Sequence, residues 1–120
     1  MIMEVKIIEY KGKKILYADH RGAKDDFDMI KILYKGIEIE KTLKEGSLLL
    51  ANFENSFNSF RFLEEVKKTG KFRSKIMKKM AFVGITGIKI ILLKMYIEFN
   101  GKKGIKTFDN EDEARDWLVL

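Results

Sequence analysis

"MAFVGITGIKIILLKMYIEF", Met80–Phe99, decides the fold, because the hydrophobic pattern changes period within it. Met80–Ile85 is a short apolar run of the kind that forms a buried strand. Ile88–Phe99 stays largely apolar over twelve residues and lies between Gly87 and Gly101, so its length and its flanking glycines favour a helix. Its richness in isoleucine and its "YIEF" ending also fit a strand. "GITGIK" between the two runs reads as a tight turn feeding a mostly buried helix, with anion binding by its free amides as the lesser alternative.

The same unit recurs on both sides. Upstream, "SLLLANF" reads as a buried strand, and "NSFNSFRFLEEVKKTG" follows with capping residues, a Phe60, Leu63, Val66 stripe and Gly70 as its stop. Before that, "KDDFDMIKILYKGIEIEKTLKEG" spaces Phe27, Ile30, Leu33 and Ile37 at helical steps, with acidic residues first, Gly36 as a weak point and Gly46 as a stop. The chain opens on "MEVKIIEY" and "KILYADHRG", two β-rich stretches joined through a turn at Lys11–Lys14. Downstream, "GIKTFDN" is a last short strand, and "NEDEARDWLVL" a helix whose acidic first turn complements its dipole.

The order β-β-α-β-α-β-α-β-α specifies one α/β domain over residues 1–120. Its sheet is mixed but mostly parallel, with five strands, four helices and right-handed crossovers, and the first strand antiparallel to the second. With 120 residues, 46% hydrophobic, the chain suits a single core. It has no cysteine and one histidine, which excludes disulfides, thiolate or histidine-cluster metal sites and a cysteine nucleophile. The expected compartment is the cytoplasm, since the N-terminus lacks a secretory apolar region and no strictly apolar run could cross a bilayer.

Ligands of open α/β sheets bind beyond the carboxyl ends of the parallel strands, where helix N-termini converge. That rule selects Asp19–Gly22, Asn52–Ser59, Gly84–Gly87 and Asp109–Asp112. The candidate ligand or partner residues are Asn52, Ser56, Ser59, Gly84, Thr86, Gly87 and Lys89. Thr86 and Lys89 supply a hydroxyl and a cation beside the glycines, although the spacing matches neither the phosphate loop nor the dinucleotide fingerprint. Ser56 and Ser59 stand where a helix begins, so they can cap it, and a phosphate added there would also be stabilised. Asp19 and His20 point to opposite faces of a strand, and no catalytic or metal constellation can be assembled, which implies no enzyme and no cofactor.

Two surfaces suggest partners. Gly87–Phe99 carries charge only at Lys89, Lys94 and Glu98, an apolar arc wider than one core-facing stripe requires, to be covered by a neighbouring helix of the same domain or by a protein partner, a second copy or an apolar ligand. Lys67–Lys79, "KKTGKFRSKIMKK", holds seven basic and no acidic residues, against a net charge of +6 for the whole chain. A solvated helix end and loop is the simplest reading; peripheral contact with an anionic membrane is a second, and the lack of a nucleic-acid motif argues against nucleic acid.

"SLLLANFENSFNSFRFLEEV", "KMAFVGITGIKIIL" and "FNGKKGIKTFDNEDEARDWL" resemble the small domains of the STAS-like superfamily, named for sulphate transporters and anti-sigma-factor antagonists. The most telling match pairs "AFVGITGIK" with "FDNEDEARDWL", and the likeness covers roughly residues 13–120. It implies an α/β sandwich and a helix at Ile88–Phe99. Through the antagonists it implies a regulatory or protein-interaction module, with a phosphorylated serine at Ser56 or Ser59. Through the related CRAL-TRIO-type domains it implies lipid or small-molecule binding, with Gly87–Phe99 walling an apolar groove. A chain of this size leaves little room for a ligand cavity of about 300–1,000 Å3.

Overall fold

The computed structural model describes residues 3–100 and 104–120. A hairpin of β1 (Glu4–Tyr10) and β2 (Lys13–Asp19) leads into α1 (Asp26–Glu40), β3 (Ser47–Asn52) and α2 (Phe60–Ile76). β4 (Met77–Val83), α3 (Lys89–Asn100), β5 (Ile105–Phe108) and α4 (Glu111–Leu118) complete the described elements, in the expected order. The strands lie in the sheet as β1-β2-β3-β4-β5, antiparallel between β1 and β2 and parallel thereafter.

Every crossover steps one strand in the same direction, so right-handed connections put α1, α2 and α3 on one face. Period-two alternation fills both sides. Leu16, Ala18, Leu49, Ala51, Met80 and Phe82 pack under α1–α3, while Ile15, Tyr17, Leu48, Leu50, Ala81 and Val83 pack against Ala114 and Leu118 of α4. Burial on both faces is why β3 and β4 read as unbroken apolar runs.

The structure corrects several boundaries. The hairpin turn is Lys11–Gly12, with both residues at positive φ, so Lys13 and Lys14 belong to β2. α1 ends at Glu40, where Thr42 Oγ1 bonds back to the Ile39 carbonyl, and Gly46 at φ +94° serves the entry to β3. α2 passes through Gly70 and continues to Ile76. Gly70 costs roughly 1 kcal/mol of helix propensity, but the burial of Arg73 and Ile76 beyond it outweighs that cost. The basic segment is therefore mostly the second half of α2 and the start of β4. α3 begins at Lys89, and Gly101, expected to close it, lies outside the described residues.

The buried stripes also differ from expectation. α1 buries Met29, Ile32, Leu33, Gly36 and Glu40, leaving Phe27 exposed, and α2 buries Phe62, Leu63, Val66 and Arg73, leaving Phe60 exposed. Glu40 and Arg73 pair inside the α1–α2–α3 layer, and Arg73 Nη1 donates to Tyr96 Oη at 2.6 Å. Burial raises the Glu40 carboxyl against the pull of the guanidinium.

Candidate functional site

The loop after β4 leads to α3 on one face of the sheet, and the loop after the neighbouring β5 leads to α4 on the other. Loops that part in this way leave a crevice at the carboxyl ends of the strands. It has a volume of about 480 Å3 and lies between Gly84–Thr86 and Lys106–Asp109, with Glu54 and Glu113 adding carboxylates. Gly84 makes it buildable: its φ is +79°, and a Cβ there would lie 2.5 Å from the Glu54 amide nitrogen.

The expected site residues divide between two roles. Gly84 and Thr86 line the crevice. Gly87, at φ +59°, faces the Asn58 side chain. Lys89 is only 5% exposed and donates from Nζ to the Ser56 carbonyl at 3.0 Å, and burial lowers its pKa. Its ammonium thus ties α3 to the β3–α2 loop. Asn52 is fully buried, donating to Glu111 Oε2 at 2.7 Å and accepting from the Glu54 amide at 2.9 Å. Ser56 Oγ donates to the Phe53 carbonyl at 2.6 Å. Ser59 caps α2 through the Phe62 amide and donates to Asp26 Oδ1 at 2.5 Å while buried, so a phosphate on it would meet a carboxylate and need the loop to open.

The strand-end rule selected Asp19–Gly22 and Asp109–Asp112, but sequence reasoning did not foresee that Tyr17 and Arg115 join Asp19, Arg21 and Glu111 in one polar group on the α4 side. Tyr17 Oη lies 2.6 Å from Glu111 Oε2 and 3.0 Å from Asp19 Oδ2, so one proton serves two carboxylates. Arg21 Nη2 reaches Asp19 at 2.7 Å, and Arg115 Nη1 reaches Glu111 Oε1 at 3.3 Å. Burial pushes Asp19 up, but the Arg21 hydrogen bonds outweigh it and hold the carboxyl below its usual range. Burial, then Glu111 and Asp19, push the Tyr17 hydroxyl up. The group satisfies its own charges and anchors the start of α4. Polar residues two apart at the end of β2 were the available signal.

His20 faces the other way, as its neighbour Asp19 requires. Its ring stacks on Phe53 at 4.4 Å and meets Phe62 edge-on at 5.3 Å, and neither ring nitrogen has a hydrogen-bond partner. It lines an apolar cavity of about 40 Å3 beneath α1–α3, together with Glu40, Arg73 and Tyr96. Such a volume holds water-sized guests and falls far below that of a lipid pocket.

Burial lowers the His20 pKa from 6.5 to about 3, with Lys89 acting in the same direction and Asp19 offsetting part of it. Below about 6.5 the unfolded chain's histidine takes up a proton while the folded one stays neutral. Stability is therefore lost as pH falls through the window from 6.5 towards 3. The expected slope from this residue is at most about 1.4 kcal/mol per pH unit. Urea unfolding of His20→Phe across that window checks it: the variant should lose less stability than the parent, and parallel curves would assign the acid loss to other groups.

No family model matches the chain, and no curated protein matches it. Among solved structures it is similar to an uncharacterized protein from the DUF3478 family, with a SpoIIAA-like fold, from Shewanella loihica PV-4. The two share 16% sequence identity over 96% of this chain and 92% of that one, with a TM-score of 0.71. Element order, sheet order and this likeness agree, and the chain has the SpoIIAA-like, STAS-like α/β fold.

Proposed function

We propose that the chain is a non-enzymatic regulatory or protein-interaction module, docking through the end where α1, α2 and α3 begin. One observation carries this reading: Phe27 (69% exposed), Phe57, Phe60 (61%), Ile90 and Ile91 all stand in solvent at that end. They lie on connected segments, since Ser59 bonds Asp26, the Phe57 amide bonds the Ala23 carbonyl, and Lys89 bonds the Ser56 carbonyl. Exposed aromatics beside Arg61 have the composition of interface hot spots, and a protein offering an apolar groove or helix is the occupant they fit. Ser59, Asp26 and Lys89 behind them are engaged within the fold, in keeping with a binding role.

Ser59, Lys89 and Leu92 are buried, so variants there would disturb the fold before they tested an interface. Phe60→Asp and Ile91→Asp are the informative changes. Chemical crosslinking and pull-down from the host should show partner capture falling about tenfold or more, while the unfolding free energy moves by about 0.5 kcal/mol. Unchanged capture by both variants overturns the reading. Sedimentation equilibrium identifies the case in which the partner is a second copy.

A small-molecule role is favoured by the crevice volume of about 480 Å3, which lies within the range of ligand pockets. Glu54, Asp109 and Glu113 outnumber Lys106 among its lining residues, so the crevice is on balance acidic and disfavours an anion. A neutral polar ligand at excess should raise the melting temperature by mass action, and Thr86→Val should reduce that shift.

A further inference from the structure

At the opposite end of the sheet, β2 opens with Lys13 and Lys14 and β4 with Met77, Lys78 and Lys79, on either side of β3. These four lysines line a cleft of about 280 Å3 floored by Leu48 and Leu118. Lys79 is held in place: Nζ donates to the Trp117 carbonyl at 2.8 Å and the Leu120 oxygen at 3.4 Å, and sits 4.9 Å from the Trp117 ring centroid. Burial lowers its pKa, and the neighbouring Lys78 and Lys13 add to the effect. Among the described residues Lys13, Lys14 and Lys78 form no ion pair; Glu9 stands opposite Lys14 in the hairpin register, Glu45 lies in the loop before β3, and Asp116, beside Trp117, is paired with Lys11. The exposed lysines of α2, Lys67, Lys68, Lys71 and Lys75, extend the positive field towards this end, where α2 runs into β4.

We propose that this cleft binds a compact ligand carrying two or more linked phosphate groups. Lysines that open β2 and β4 start about 9–10 Å apart at the backbone, so a chain of two or three phosphates engages more of the four ammoniums at once than a single phosphate does. Lysine ammoniums recognise phosphate as point charges, and the leucine floor limits how deeply the ligand enters. The earlier expectation for Lys67–Lys79 thereby narrows to its last two lysines, joined by two from a distant strand. The ligand source is either a soluble polyphosphate or a phosphorylated lipid headgroup, and the chemistry is shared.

Calorimetric titration with tripolyphosphate, pyrophosphate and inorganic phosphate, at about 50 mM and about 200 mM salt, tests the proposal. Tripolyphosphate should bind one to one and about tenfold or more tighter than inorganic phosphate. The pair Lys13→Gln and Lys78→Gln should weaken it by about tenfold or more, while Lys67→Gln with Lys71→Gln, the same change of charge on α2, should cost about twofold or less. Sedimentation with phosphatidylcholine vesicles, with and without a phosphatidylinositol bisphosphate, separates the sources: cleft-dependent binding to the phosphorylated vesicles alone assigns the headgroup. Equal losses in the two variant pairs, no saturation at millimolar tripolyphosphate, or tighter binding of an oligonucleotide that depends on the α2 lysines would each overturn it.

Discussion

Arg73→Met is expected to destabilise the fold by about 3–5 kcal/mol, because it leaves the Glu40 carboxylate buried without its cation. Both side chains are nearly inaccessible, and the guanidinium also donates to Tyr96 and, at 3.4 Å, to Thr69 Oγ1. The pair joins α1 to α2, and Tyr96 extends the link to α3, so its loss loosens the whole layer beneath which His20 lies. Guanidinium unfolding measures the effect as a lower midpoint with an unchanged slope. Glu40→Leu combined with Arg73→Met should recover most of the loss, since an apolar pair of similar volume avoids the desolvation of two charges. A double variant as unstable as the single one would mean that packing of the arginine stem, and not the orphaned carboxylate, sets the cost.

Gly84→Ala is expected to cost roughly 3 kcal/mol or more, from two sources that a second glycine separates. At Gly12, φ is +80° and an added Cβ meets nothing within 4 Å, so Gly12→Ala isolates the left-handed backbone penalty of about 1–2 kcal/mol. At Gly84 the same penalty applies at φ +79°, and the Cβ would also press on the Glu54 backbone at 2.5 Å. Neither loop can yield cheaply: the Phe53 amide bonds the Val83 carbonyl at 2.8 Å, and Asn52 holds the Glu54 amide. Thermal unfolding of the two variants should separate them clearly, with Gly84→Ala the lower. Equal midpoints would mean that the contact between the two loops relaxes freely.

The order of strands and helices was legible because each element carries its own period, and each change of period falls near glycine or a capping residue. Boundaries were less so. Gly70 looks like a stop when only its neighbours are considered, yet the helix gains more from seating Arg73 and Ile76 than it loses at one glycine. Phe27 and Phe60 look like core residues at helical spacing, but the buried stripes run through Met29 and Phe62, and the two exposed rings became the basis of the proposed interface. The candidate site was legible in part: the rule of strand ends led to Gly84 and Thr86, which line the crevice, whereas Lys89, chosen for its charge, turned inward.

From sequence alone came the α/β class, the sheet with its antiparallel first strand, and the opposite directions of Asp19 and His20, all consequences of local periodicity and chirality that a short window of chain contains. Tertiary structure decided which polar residues meet. Tyr17 and Glu111 are 94 residues apart, and Glu40 and Arg73 are 33 apart, so no window includes both partners. It also decided that lysines from two separated strands share one cleft. Such pairings follow from the order in which strands are laid side by side, and their physical cause is the burial and charge balance of the assembled core, which no isolated segment possesses.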